Sequence, residues 1–304
     1  MNIIFGPVNS RRFGKSLGVD LSPQSKQCNF DCLYCELAPA KVTDAQSNVI
    51  EVQTIFNEIK RALEHYSDID VLTITANGEP TLYPYLLELI DKINSVKGST
   101  QTLILSNAST IADKKVQKAL LKFDSVKLSL DCATQKCFRK LDRPGRSIDL
   151  ETIKKGMLAF KEIYRGKLLI EILFVAGLND NLDEITALNS FLLQLQPSRI
   201  DIGTVDRPPA YKIEPISYEK LYELSLAFDA ALPIAIAAKA KGSVAQFDYT
   251  KEEILNTIAK RPLTPEDIKT LFSAKSQELL NELLVDGKIE KCLLSGVIFY
   301  KVKV

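Results

Sequence analysis

Six cysteines give this sequence its clearest capacity for metal or redox chemistry. Three of them, Cys28, Cys32 and Cys35, form a C-x3-C-x2-C cluster, and the other three are scattered. Three thiolates on one short loop can hold an iron–sulfur cluster and leave one of its irons open to an outside ligand. Structural zinc is the alternative. It usually takes four ligands, so a scattered cysteine or His65 would have to supply the fourth. The spacing therefore predicts a metal centre on this loop and leaves the metal open.

The overall composition excludes several other classes of function. His65 is the single histidine of 304 residues, so a two-histidine metal site is excluded. Lys and Arg total 39 against 38 Asp and Glu, and the net charge of +1 gives no global field for nucleic acid or an anionic membrane. The chain opens without a signal-peptide core, and its most apolar segment, 230–238, is too short to span a membrane. We therefore expect a cytoplasmic protein with reduced thiols and no membrane partner.

Strand-like apolar runs alternate with amphipathic helical runs along most of the chain, as in a parallel sheet covered by helices on both faces. The predicted strands are 17–21, 71–75, 102–106, 125–130, 168–175 and 199–204. The predicted helices are 52–66, 85–96, 112–123, 148–164, 182–195 and 218–228. This pattern predicts an α/β fold with a partial (β/α)6 barrel in a first domain, 1–245.

The pattern changes after about residue 245. Thr264-Pro265 is a helix start, and a second helix is expected at 276–285. The segments 288–294 and 297–304 flank Ser295-Gly296, which is typical of a two-residue hairpin. Residues 246–304 are therefore predicted to form a small winged-helix-like domain.

The cysteine loop after the first predicted strand resembles that of the radical S-adenosylmethionine (SAM) enzymes, whose signature is C-x3-C-x-(aromatic)-C in a partial (β/α)6 barrel. The resemblance covers about residues 15–210. It implies one [4Fe–4S] cluster on the three cysteines, SAM on the fourth iron, and Tyr34 against the adenine. Such an enzyme reduces SAM to methionine and a 5′-deoxyadenosyl radical, which abstracts a hydrogen atom from substrate. Its electron donor would be a protein such as flavodoxin or ferredoxin.

Polar residues that follow the predicted strands extend the resemblance, because ligands bind at the carboxyl ends of parallel barrel strands. Asn77-Gly78-Glu79 is similar to the family's Gly-Gly-Glu motif, with Asn77 in place of the first glycine. Taken together, the resemblance implies SAM contacts at Gly78, Glu79, Asn107, Ser129, Asp131 and Asn179. Ordinary turns and helix caps remain the alternative for these positions, including an N-cap at Asn179.

Further candidates are weaker. Arg207, after the sixth strand, could contact substrate, and the cations Arg11, Arg12 and Lys15 could bind a phosphate or carboxylate. Solvated surface turns are the alternative in both places. Among the scattered cysteines, Cys132 and Cys137 could donate hydrogen or bind a second cluster, or could be inert buried thiols.

In detail the chain resembles short radical SAM proteins grouped with the wyosine-type tRNA synthases, which carry additional amino-terminal cysteines for a second cluster. Here the first cysteine is Cys28, so we do not expect that additional amino-terminal cluster. The winged-helix-like domain could present a macromolecular substrate, tRNA or a protein or peptide, or could simply cap the open barrel. If it presents substrate, its deletion should remove turnover but not SAM cleavage. A small-metabolite enzyme and a non-catalytic iron–sulfur regulator are the alternatives. The second predicted helix carries more acids than bases, which argues against duplex binding.

Overall fold

The structure is a computed structural model that describes residues 3–10, 12–66, 68–236, 246–260, 262–294 and 297–303. Three features of the sequence analysis lie outside these ranges: Arg11, the expected domain boundary at 245, and the hairpin turn Ser295-Gly296.

One sheet contains eight strands in chain order. They are β1 (Ile4–Ser10), β2 (Gly14–Asp20), β3 (Val71–Thr75), β4 (Gln101–Ser106), β5 (Ser125–Ser129), β6 (Lys167–Phe174), β7 (Arg199–Thr204) and β8 (Ile234–Ile236). β1 is antiparallel to β2, and every pairing from β2 to β8 is parallel. Within the described residues β1 and β8 do not pair with each other, so the sheet is an open barrel. The expected α/β class and largely parallel sheet are confirmed.

The sequence analysis missed the first and last strands of this sheet. Gly6-Pro7 interrupts β1, and its pairing with β2 shifts register between Phe5 and Val8. A proline inside an apolar run argues against a strand. β8 is only three residues long, which is too short for a period of two to be visible.

Helices on the outer surface of the sheet connect its strands. They are α1 (Val52–His65), α2 (Leu86–Asn94), α3 (Lys114–Leu120), α4 (Gln135–Leu141), α5 (Leu150–Ile163), α6 (Leu182–Leu195) and α7 (Tyr218–Leu226). On β6, Ile170 and Ile172 are fully buried in the same core cluster as Leu188 of α6, whereas Glu171 between them faces the barrel interior. The six predicted helices are confirmed to within a few residues at each end, and α4 was not predicted. None of the helices in the described ranges has the length and apolar character needed to cross a bilayer.

A layer of charged side chains lies inside the barrel. Glu171 accepts hydrogen bonds from Arg12, at 2.8 Å, and from Lys127. Asp201 is fully buried and forms ion pairs with Arg12, at 3.2 Å, and Arg199, at 3.0 Å. The turn that carries Arg12 precedes β2 and so lies at the amino ends of the strands, opposite the edge where ligands bind. Arg12 therefore pairs with carboxylates of this chain instead of forming the anion site considered from sequence.

The carboxyl-terminal region has its own core. It contains α8 (Lys251–Lys260), α9 (Pro265–Leu271), α10 (Ala274–Val285), β9 (Ile289–Leu294) and β10 (Val297–Val302). Thr264 forms a capping box with Asp267, which confirms the predicted helix start. α8 was not predicted, and it contacts β1, where Asn256 donates to the carbonyl of Ile4 at 2.8 Å. The winged-helix-like classification stays a prediction.

Cys132 and Cys137 form a disulfide, so the expectation of six reduced thiols is wrong for this pair. Cys132 follows β5, and Cys137 lies in the first turn of α4, which Thr134 caps. The cap brings the two Cα atoms to 5.6 Å, within the usual range for a disulfide. The other four cysteines are free.

Candidate functional site

The cysteine loop follows β2 and is held against the carboxyl edge of the sheet by backbone hydrogen bonds. These bonds join Gln27 N to Asn77 O (2.7 Å), Leu33 N to Leu141 O (2.9 Å) and Ala210 N to Cys35 O (2.8 Å). Of the residues bonded to the loop, Asn77 follows β3, Leu141 ends α4 and Ala210 follows β7. The loop therefore has a fixed conformation without regular secondary structure, and its three thiols are half-buried.

The environment of the thiols suits metal ligands better than free nucleophiles. Burial, followed by the nearby Glu79 carboxylate, raises the pKa of Cys28 to about 12. Burial and the carboxylate of Asp142, whose Oδ1 is 3.8 Å from the sulfur, raise the pKa of Cys32 well above its usual value. Such thiols ionise when a metal cation replaces the proton.

Two further observations test whether a cluster fits the loop. The ammonium of Lys26 lies beside the Cys35 thiol and 3.6 Å from Asp31, and the Lys26 side chain is only 7% exposed. It could offset the negative charge of a thiolate-ligated cluster. The sulfur atoms of the three loop cysteines also do not all lie within 4.8 Å of one another. A single tetrahedral zinc would hold its sulfurs about 3.8 Å apart, so the wider spacing favours a cluster.

A second set of potential ligands is excluded by its own bonds. Cys132, Cys137 and Glu184 lie within 4.8 Å of one another and are buried. The two sulfurs are bonded to each other, however, and Glu184 accepts hydrogen bonds from Thr134 N at 2.9 Å and Thr134 Oγ1 at 2.7 Å. The disulfide and the Glu184 carboxylate therefore stabilise the start of α4 and are not available to a metal.

Gly78 lies where the turn after β3 meets the cysteine loop. Its φ is +133°, and a Cβ at this position would lie 2.0 Å from the carbonyl oxygen of Gln27. Gly78 and Gln27 also form an isolated parallel β-bridge. The sequence analysis expected glycine here because a ligand approaches closely, but in the structure the close neighbour is the backbone just before Cys28.

Glu79 connects this turn to the end of β4. Its side chain is buried and accepts hydrogen bonds from Thr81, from Ser106 Oγ at 2.7 Å and from the backbone amide of Asn107 at 2.7 Å. Burial raises the pKa of Glu79, although these hydrogen bonds oppose the shift. Asn107 in turn lies 3.7 Å from Cys28 Sγ through its side-chain nitrogen. Glu79, Asn107 and Cys28 therefore form one connected group.

Tyr34 and Asp131 form a second group. The Tyr34 hydroxyl donates to Asp131 Oδ2 at 2.5 Å, and the amide of Leu173 donates to Oδ1 at 2.7 Å. Burial raises the pKa of Asp131 to about 6. Asn179 is fully buried and donates to the carbonyls of Asp131 and Leu173, at 2.9 Å each. Asn181, not Asn179, caps α6, so the N-cap alternative for Asn179 is wrong.

Several of the sequence-predicted residues meet around one small cavity. Its volume is about 20 Å³, which leaves no room for a nucleoside in this conformation. Tyr34, Asn107, Ser129 and Asp131 line it, whereas Gly78, Glu79 and Asn179 do not. Arg207 does not line the cavity either; it follows β7 and pairs with Glu36, next to Cys35, at 3.2 Å.

Asp142 also lines this cavity and was missed by the sequence analysis. It hydrogen-bonds Asp131, and burial followed by the charge of Asp131 raises the pKa of Asp142 well above its usual value. Of the two carboxyl groups, Asp142 therefore has the stronger tendency to keep its proton. Asp142 is 110 residues from its contact Cys32 and follows the unpredicted α4, so no local pattern could have identified it.

The chain is similar to several known proteins. A family model described as the radical SAM superfamily matches residues 23–191. A UPF0026 protein of Helicobacter pylori is 43% identical over 302 residues, which cover 98% of this chain and 97% of that protein. Among solved structures, Streptococcus suis SuiB bound to precursor peptide SuiA superposes with a TM-score of 0.58 at 19% identity, over 73% of this chain and 48% of that chain. TYW1 with a lysine-pyruvate adduct bound gives 0.54 at 19% identity, over 73% and 75%.

The structural likenesses concern the fold alone, since their sequence identity is low. The family match covers more than half of this chain, and the Helicobacter relative spans nearly all of it. On this evidence the chain belongs to the radical SAM superfamily, among its UPF0026 relatives.

Proposed function

We propose that this chain is a radical SAM enzyme that binds one [4Fe–4S] cluster through Cys28, Cys32 and Cys35 and reductively cleaves SAM. The observation that carries the proposal is the meeting of the cysteine loop with polar residues from separate strand ends. On one side Asn107, whose amide donates to Glu79, contacts Cys28, and on the other side Asp131 accepts from Tyr34. Catalysis is favoured over a non-catalytic regulator because a regulator needs the cluster but not these polar strand ends.

The proposed roles of the chain's residues follow from where they lie. When bound, the cluster and SAM supply a reductive cleavage that yields methionine and a 5′-deoxyadenosyl radical. Tyr34 would pack against the adenine, and Gly78 and Glu79 would present the turn that meets the methionine amino group. The remaining SAM contacts would come from the strand ends at Asn107, Ser129, Asp131 and Asn179. Since the cavity beside Tyr34 is small, SAM must move Tyr34 or lie toward the open side of the barrel.

The proposed substrate is a macromolecule, tRNA or a protein or peptide, presented by a winged-helix-like domain over 246–304. A protein such as flavodoxin or ferredoxin would donate the electron. A small metabolite is the alternative substrate. The acidic character of α10 weighs against non-specific binding to duplex nucleic acid, since its twelve residues include two glutamates and one lysine.

Anaerobic cluster reconstitution followed by an assay for 5′-deoxyadenosine tests the proposal. We expect about four irons per chain and 5′-deoxyadenosine formation that requires both reductant and SAM. Cys32→Ala should lose the cluster and all SAM cleavage. Cys292→Ala, a change to another free cysteine far along the chain, should keep both.

Two results would contradict the proposal. A Cys32→Ala variant that retains full iron would exclude the ligand assignment. Iron-loaded wild-type protein that forms no 5′-deoxyadenosine with any of the candidate substrates would favour the regulator.

A further inference from the structure

A buried ion pair joins the carboxyl-terminal region to the base of the cysteine loop. Lys260, the last residue of α8, donates to Asp20, the last residue of β2. The Asp20 side chain is 1% exposed and that of Lys260 10%. Burying a carboxylate is costly unless a countercharge accompanies it, and here Lys260 supplies that charge.

The same carboxylate holds the turn proposed to bind SAM. Asp20 Oδ1 accepts hydrogen bonds from the amides of Asn77 and Ser22, at 2.8 Å each. The carbonyl of Asn77 accepts from the Gln27 amide, and the carbonyl of Gln27 accepts from the Glu79 amide at 3.0 Å. A continuous set of hydrogen bonds therefore runs from Asp20 through the turn to the residue before Cys28.

α8 is itself held in place, so that Lys260 has a fixed position. In addition to the Asn256 contact with β1, Thr257 Oγ1 accepts from the amide of Gly6, and Tyr66 of the α1 end donates to Glu253 at 3.0 Å. A cleft of about 420 Å³ lies between α8 and the loops, with Asn77 and Lys260 in its lining.

We propose that Lys260 is a positioning residue for the SAM-binding turn, acting through Asp20 on the amide of Asn77. This inference rests on the proposed function, because it concerns how well the turn binds SAM. It makes the carboxyl-terminal region a structural part of the SAM site as well as a candidate for presenting substrate.

Lys260→Met tests the proposal, because methionine keeps much of the apolar stem and removes the charge. We expect hydrogen exchange of the Ser22 and Asn77 amides to accelerate on the order of tenfold. We also expect SAM to bind the iron-loaded protein about tenfold more weakly at unchanged iron content. Lys260→Arg keeps the positive charge, so it should retain most of the slow amide exchange and most of the affinity for SAM.

Lys251→Met is the matched control on the same helix. Lys251 pairs with Glu282 at 2.6 Å inside the carboxyl-terminal region, and the two side chains are 43% and 56% exposed, far more than the Lys260–Asp20 pair. This variant should leave the exchange of both amides and the affinity for SAM unchanged. If Lys260→Met does not fold, Lys260→Gln, which keeps a donor for Asp20, should show smaller changes in the same direction.

The two measurements separate the possible failures. Unchanged amide exchange in a folded Lys260→Met protein would overturn the inference, whatever the enzyme does. Faster exchange with unchanged SAM affinity would also overturn it, because the ion pair would then stabilise the fold alone. Failure of the wild-type protein to bind or cleave SAM would overturn the proposed function. The inference would then fail too, even if the amide exchange showed that Lys260 holds the turn.

Discussion

At the scale of single residues, Gly78 shows how the sheet edge and the cysteine loop constrain each other. A side chain here would meet two obstacles, a backbone φ of +133° and the Gln27 carbonyl at 2.0 Å from the Cβ position. The carbonyl belongs to the rigid backbone of the cysteine loop and cannot rotate away as a flexible side chain would. Position 78 therefore requires glycine because the turn after β3 and the cysteine loop approach each other closely there.

Gly78→Ala should lower the free energy of unfolding by about 3 kcal/mol, because it combines backbone strain with a steric clash. Urea denaturation would measure the change. Gly98→Ala is the control, since Gly98 has a φ of +58° but no atom within 4 Å of its Cβ position. It should cost about 1 kcal/mol from strain alone. An equal loss of unfolding free energy in the two variants would show that the cysteine loop moves away and that no steric clash remains in Gly78→Ala.

At the scale of elements, the barrel strands carry a charged layer that links β5, β6 and β7. Burial alone would raise the pKa of Glu171, but Lys127 and Arg12 outweigh it and lower the pKa to about 2. A carboxyl group whose pKa is lowered by folding stabilises the protein above its unfolded pKa of about 4.5. That contribution is lost as pH falls from about 4.5 toward about 2.

Glu171→Gln should therefore destabilise the protein most at neutral pH. The Glu171 side chain is 37% exposed, so solvent screening limits the expected cost at pH 7 to about 1 kcal/mol. Urea unfolding from pH 7 to pH 3.5 should show the difference between variant and wild type shrinking below about pH 4.5. Glu64→Gln, at an exposed pair with Lys60, should change stability by less than about 0.5 kcal/mol throughout. A Glu171→Gln difference that does not vary with pH would contradict the assigned pKa.

At the scale of the whole molecule, the carboxyl-terminal region cannot be removed without affecting the barrel. Val8 of β1 is 5% exposed and packs in the core cluster of that region, with Ile254 and Ile258 of α8. The hydroxyl of Tyr249 donates to the carbonyl of Pro7. Deletion would expose Val8 and leave Asp20 without its countercharge.

Deletion of 246–304 should therefore lower the free energy of unfolding of the remaining chain by about 2 kcal/mol or more and impair SAM cleavage itself. The sequence analysis expected loss of turnover with SAM cleavage intact. Thermal unfolding and the 5′-deoxyadenosine assay on full-length and truncated protein distinguish the two expectations. A truncated protein with unchanged unfolding and full SAM cleavage would show that the barrel is independent of this region.

Local patterns in the sequence determined much of this protein. The cysteine spacing, the βα alternation and the Thr264 cap each depend on a few neighbouring residues, whose geometry is the same wherever they occur. The α/β class, the largely parallel sheet, six strands and six helices followed from these patterns. β1, β8 and α4 did not, because a proline interrupts β1 and the other two elements are short. α8 was missed as well.

Only the tertiary structure decided which distant residues meet. Asp142 reaches Cys32 across 110 residues of sequence, and Lys260 reaches Asp20 across 240. Such contacts depend on strand order and on how the carboxyl-terminal region packs against β1, which no local period encodes. The sequence by itself thus determined the cysteine loop and the class of fold, whereas the burial and pairing of charged groups around that loop arose from packing between segments far apart in the chain.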